Sequence, residues 1–213
     1  MKKTTIVAIV ISIILLGIFC VRFYQASQEH DQYDTEVHVH ADFALYVNDK
    51  RLDLTAAKYQ STLESEKNDD IHLHDSNDQV VHRHAENITF ANFLQSIGFT
   101  LTKDCFTMDT GENICSSDAS EVSLYVNNKP ATDITSYITQ EKDRVLLYVG
   151  PRNNPNLQKY LDSVTDEACI PSGTCPERGV PPVETCGLTC DLKVTYVDHS
   201  IKEILTYVFF NHF

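Results

Sequence analysis

Three His-x-His pairs, His38/His40, His72/His74 and His82/His84, constrain this chain more than any other feature of its sequence. Successive side chains of a β-strand point to opposite faces, so residues two apart share a face. Two imidazoles placed that way stand roughly 6–7 Å apart at Cα, close enough for one cation to engage both. Six of the nine histidines lie in these pairs. On neighbouring strands they would line one face of a sheet with imidazole.

The surrounding sequence reads as strands. From Val37 the chain alternates strictly: Val37, Val39, Ala41, Phe43, Leu45 and Val47 on one face, and His38, His40, Asp42, Ala44 and Tyr46 on the other. This pattern predicts a half-buried strand. Asn48-Asp49-Lys50 turns it and Arg51-Leu52-Asp53-Leu54 returns, giving a hairpin. Residues 55–70 read as an irregular loop with a helical turn. A second hairpin runs from Ile71-His72-Leu73-His74 through Asp75-Ser76-Asn77-Asp78 to Val80-Val81-His82-Arg83-His84. Its two pairs share a face only if even-numbered residues oppose even-numbered ones, which a loop with an odd residue count provides. The register expected on that basis sets His74 opposite His82 and His72 opposite His84.

Asn87 to Phe99 is expected to be helical, with Thr89 as N-cap, Phe90, Phe93, Leu94 and Ile97 as one apolar stripe, and Gly98 as the stop. Residues 105–117 read as a disulfide-bracketed loop. Glu121 to Val126 and Arg144 to Val149 are strands. The order predicts an α+β domain, a mixed sheet covered by one main helix. Leu124-Tyr125-Val126-Asn127-Asn128-Lys129 and Asp143-Arg144-Val145-Leu146-Leu147-Tyr148, with Ile138 between them, resemble the closing strands of ubiquitin-like β-grasp domains, and Phe43 to Lys50 repeats the local pattern. Residues 157–168 read as helical, ahead of a Cys/Pro-rich loop from Cys169 to Cys190.

The ends suggest a location. Thr4 to Val21 is uncharged and rich in Ile, Val and Leu behind Lys2-Lys3. Such a stretch is about 27 Å long as a helix, near one bilayer core. It lacks a small-x-small cleavage site, so an uncleaved single-pass anchor is expected, with the bulk of the chain outside the cytoplasm. The expected organisation is an anchor over 1–23, a polar tether over 24–36, a His-rich β-grasp-like domain over 37–150, a helix and Cys/Pro loop over 151–190, and a helical tail over 191–213. A net charge of −13 argues against nucleic-acid binding, which needs a Lys/Arg excess, and suits cations. Cys105, Cys115, Cys169, Cys175, Cys186 and Cys190 form an even set in an exported domain, which favours disulfides. Cys105 and Cys115 bracket a turn and are expected to pair; the other four allow three pairings, or a zinc site.

His38-x-His40-Ala41-Asp42-Phe43, His72-x-His74-Asp75, Thr165-Asp166-Glu167-Ala168-Cys169 and Cys175-Pro176-Glu177-Arg178-Gly179-x-Pro181-Pro182-x-Glu184-x-Cys186 resemble motifs of a family of membrane-anchored extracytoplasmic proteins of candidate-phylum bacteria and archaea. The resemblance spans about residues 37–186. It implies a membrane anchor and an extracytoplasmic domain and carries no agreed activity. Some members bear a protein-disulfide-isomerase label, from which this chain departs because it has no Cys-x-x-Cys. Leu192 to Phe213 extends beyond the usual end of the family.

Imidazole is a borderline ligand that suits copper and zinc. The expected ligand set is His38, His40, His72, His74, His82 and His84. Asp42 continues the His38/His40 face as a ligand or an orienting acceptor, and Asp75 and Glu86 are further candidates. His30, His199 and His212 stand alone and are not expected to bind. A plainer reading is a wet sheet face that tolerates histidine, the imidazoles hydrogen-bonding across strands. No His-Glu-x-x-His signature is present, so metal handling or sensing ranks above catalysis. A thiol–disulfide oxidoreductase ranks second, although Cys186-Gly-Leu-Thr-Cys190 is one residue too long for the usual redox pair. A non-catalytic surface or adhesion module, with the imidazoles as a pH-sensitive contact, ranks third.

Overall fold

The computed structural model describes residues 16–19, 21, 37–62, 65 and 67–182. The chain divides into two units, and the one that begins at Val37 carries the elements below. In the other, residues 16–19 and 21 are helical. Among the described residues no helix is long and apolar enough to cross a membrane. The rest of the 4–21 stretch, the tether, Cys186, Cys190, the tail and the three isolated histidines lie outside them.

The strands are β1 (Val39–Val47), β2 (Lys50–Arg51), β3 (Ile71–His72), β4 (Val80–Arg83), β5 (Thr100–Leu101), β6 (Cys105–Thr107), β7 (Asn113–Cys115), β8 (Ser120–Val126), β9 (Lys129–Pro130) and β10 (Arg144–Pro151). The helices are α1 (Phe90–Ser96) and α2 (Leu157–Ser163), with a 3-10 turn at Ala57–Tyr59. The main sheet has seven strands in the order β3-β4-β1-β10-β8-β9, with β2 paired to β1. The central pair, β1 and β10, is parallel, Phe43 opposite Val145 and Leu45 opposite Leu147. The other pairings are antiparallel. The fold is thus mixed α+β and mostly sheet.

Local chemistry explains the turns. Asn48-Asp49 and Asn127-Asn128 each close a two-residue hairpin with both residues at positive φ, a conformation that asparagine and aspartate tolerate. Thr89 caps α1: its hydroxyl accepts the Asn92 N–H while the Asn92 side chain accepts the Thr89 N–H. Gly98, at φ +94°, ends the helical segment. Residues 105–117, expected to be a loop, instead include two strands of a small sheet, β5-β6-β7. There Cys105 sits directly opposite Cys115 and bonds to it.

The alternation in β1 predicted one wet face, and here the structure differs. Phe43, Leu45, Val81, Val145 and Leu147 pack with Phe90, Phe93 and Leu94 of α1 into the larger core. The opposite face is covered as well. Ala44, Leu146 and Tyr148 pack against Tyr160, Leu161 and Val164, and Tyr46 stacks on Tyr160 with ring centroids 4.2 Å apart. Arg144 locks this cover down, its Nε donating to the carbonyls of Val164 and Thr165 at 3.2 and 3.0 Å. The sequence beyond α2 then runs over the same face, above the histidines.

Candidate metal centre

The register meets the parity condition with different partners from those expected. His40 lies opposite His82, and His82 opposite His72. The three form one row across β1, β4 and β3. His74 was expected opposite His82 on a strand. It sits instead at the start of a tight turn, where the Asn77 N–H donates to its carbonyl at 3.0 Å. Asp75 and Ser76, the central turn residues, both have φ +57°, and the turn folds the His74 ring back onto His82. The strands end where this left-handed turn begins, which alternation alone does not reveal.

All six imidazoles meet. Ring centroids are 4.5 Å apart for His38/His40, 4.6 Å for His40/His82, 4.6 Å for His38/His84, 4.9 Å for His72/His84 and 4.0 Å for His74/His82. Five of the rings are buried, and His38 is half-buried. A wet, tolerant face is therefore not what the fold builds.

One subset converges on a point. The ligand atoms of His38, His40 and His82 all lie within 4.8 Å of one another. Nitrogens around a tetrahedral zinc at 2.0–2.1 Å stand roughly 3.3–3.4 Å apart, so ring rotations of about 1 Å would close the set on an ion. The residues fit a three-imidazole site, the ligand number of sites that keep a fourth position open.

Hydrogen bonds fix how several rings present themselves. The carbonyl of Asn68 can only accept, so His72 carries its hydrogen on Nδ1, 2.8 Å away. The Ser172 hydroxyl donates to the Ala168 carbonyl at 2.7 Å. Its oxygen then accepts from Nδ1 of His40 at 3.0 Å. The Asp75 carboxylate accepts from Nδ1 of His74 at 2.8 Å. In each of these rings, when neutral, Nε2 is the acceptor nitrogen. The His40 backbone N–H is held by Glu141 Oε2 at 3.0 Å.

Asp42 shares the histidine face and is 1 % exposed. Its carboxylate lies outside the converging set. Oδ1 accepts from the Thr165 hydroxyl at 2.6 Å and the Glu167 N–H at 2.7 Å, and Oδ2 accepts from the Ala168 N–H at 3.0 Å. It fastens the cover over the imidazoles. Next along that cover, Cys169 and Cys175 are bridged and enclose Ser172, the partner of His40. Of the other candidate carboxylates, Asp75 touches the cluster through His74, while Glu86 is exposed.

Ser172, Glu141 and the Asn68 carbonyl are parts of the centre that sequence reasoning missed. The only signal for Ser172 was its place inside a short cysteine loop. On the opposite face of β4, burial pulls the Arg83 guanidinium below its ordinary value, and its Nε donates to the Thr139 carbonyl at 3.1 Å. That charge is turned away from the imidazoles. No family model, curated protein or solved structure matches the chain.

Proposed function

We propose that this protein binds a transition-metal ion, copper or zinc, through His38, His40 and His82, and that its role is metal handling or sensing. The observation that carries the reading is the convergence of three imidazole nitrogens within 4.8 Å on a buried sheet face. Imidazole is a borderline ligand, and histidine suits copper and zinc. The set contains ligands and a cover. The sequence carries no His-Glu-x-x-His signature, so binding ranks above catalysis.

The wider setting is part of the same proposal. Residues 4–21 would anchor the chain in a membrane with the imidazole domain on the extracytoplasmic side, as the resemblance to the anchored extracytoplasmic family implies. The two disulfides, Cys105–Cys115 and Cys169–Cys175, suit an oxidising compartment. The domain would be a β-grasp variant, a reading supported by the parallel pair of first and last long strands with α1 between β4 and β8.

The test is calorimetric titration of the purified chain with Zn(II) and Cu(II), beside a variant carrying His38→Ala, His40→Ala and His82→Ala. Micromolar or tighter binding lost in the variant supports the reading. No binding by the unaltered chain overturns it.

A further inference from the structure

The metal reading needs one nitrogen of His82, and we assign Nε2 to it. The other is engaged, and its partner leads to the edge of the domain. His82 Nδ1 lies 3.2 Å from Nε2 of His74, and His74 Nδ1 lies 2.8 Å from Oδ2 of Asp75. The His74 side chain is 3 % exposed and that of Asp75 is 44 % exposed. The three residues form a line from solvent to the buried ligand.

The line has a direction. A carboxylate accepts and does not donate, so His74 carries its hydrogen on Nδ1. A neutral imidazole has one donor and one acceptor nitrogen, so with His74 in that form its Nε2 accepts. His82 Nδ1 then donates, which puts the ring's lone pair on His82 Nε2. An unconstrained imidazole favours the opposite tautomer, with its hydrogen on Nε2 and no lone pair there to bind a metal. The turn at 74–77 makes the arrangement possible, because two consecutive left-handed residues, Asp75 and Ser76, carry the carboxylate back beside its neighbouring ring.

We propose that Asp75 and His74 are positioning residues that act through His82: they hold it in the Nδ1–H tautomer and aim Nε2 at the metal position. This rests on the metal reading above, and it makes His74 a supporting residue instead of a ligand. Partners in this position commonly change metal affinity 10- to 100-fold when removed.

The experiment uses the full chain in detergent micelles and has two arms. In the first, long-range 1H–15N correlation spectra of the metal-free protein assign the hydrogen on each His82 nitrogen. The expected result is Nδ1–H in the unaltered chain, and loss of that preference in His74→Ala. A hydrogen on Nε2 of His82 in the unaltered chain overturns the proposal. In the second arm, Zn(II) affinity is measured for Asp75→Ala, His74→Ala and Asp75→Glu. The first two should bind 10- to 100-fold more weakly with three imidazole nitrogens still on the metal by X-ray absorption, and Asp75→Glu should recover most of the loss. Affinity within twofold of the unaltered chain in both alanine variants, or an imidazole count that falls in His74→Ala, overturns the positioning role. Failure of the unaltered chain to bind Zn(II) overturns the metal reading, while the tautomer arm still decides whether the line exists.

Discussion

Replacing Asp42 with alanine tests how the cover is held over the imidazoles. The carboxylate is 1 % exposed and takes three hydrogen bonds, two of them from backbone N–H groups of Glu167 and Ala168 and one from Thr165. A hydrogen bond to a charged group contributes roughly 1.5–3 kcal/mol, and each buried donor left unmet costs about 1–3 kcal/mol. The donors overlap in this count, and part of the segment 165–168 will reach water once freed. The expected loss is therefore about 3–5 kcal/mol, a large share of the roughly 5–15 kcal/mol stability of an ordinary domain. Urea unfolding of Asp42→Ala should show a lowered midpoint of that size. Amide exchange should accelerate first at Glu167 and Ala168, and later in β1 and β10. Metal affinity should fall too, because Ser172 leaves His40 when the cover lifts. A stability change under about 0.5 kcal/mol, with Glu167 and Ala168 amides still protected, would refute the reasoning and return Asp42 to the list of direct ligands.

Ser172→Ala removes the acceptor for His40 Nδ1; Zn(II) affinity should drop about tenfold, with urea stability changed by no more than about 1 kcal/mol. Cys169→Ser with Cys175→Ser opens a bridge spanning six positions, and chain entropy sets the expected loss near 2 kcal/mol, read as a lower urea midpoint. The hydrogen bond from Lys58 holds the Asp109 carboxyl below its ordinary value. A lowered carboxyl pKa gives stability that is present above the unfolded value, about 3.9, and is lost as pH falls through the folded one. Asp109→Asn should therefore reduce the steepness of acid unfolding below about pH 4 and leave stability above pH 6 nearly unchanged in its pH slope, as followed by circular dichroism.

Much of the frame was legible because it is periodic. The alternation from Val37 to Val47 gives β1, the Phe90/Phe93/Leu94 stripe gives α1, and the Asn48-Asp49 and Asn127-Asn128 pairs give the tight hairpins. The Cys105–Cys115 bridge followed from two cysteines bracketing a turn. The shared face of the histidines was legible as a parity condition, and the His72–His82 pairing meets it. Other features depend on contacts distant in sequence. Nothing local says that residues 165–175 return to cover His40 and Asp42, more than a hundred positions earlier, so the face read as half-wet and Asp42 read as a ligand candidate. His74 left its strand because Asp75 and Ser76 adopt left-handed φ, a choice set by the turn and invisible to alternation. The selection of His38, His40 and His82 from six similar imidazoles is a matter of ring direction, which the spacing of the pairs does not encode.

The central claim is that His38, His40 and His82 together hold one metal ion. X-ray absorption at the zinc edge of the loaded full chain tests it most directly. The account predicts one equivalent of zinc, three imidazole nitrogens at about 2.0–2.1 Å, and loss of that signature when His82 is changed to alanine. Zinc surrounded only by oxygen ligands, or an imidazole shell unchanged in His82→Ala, would contradict it.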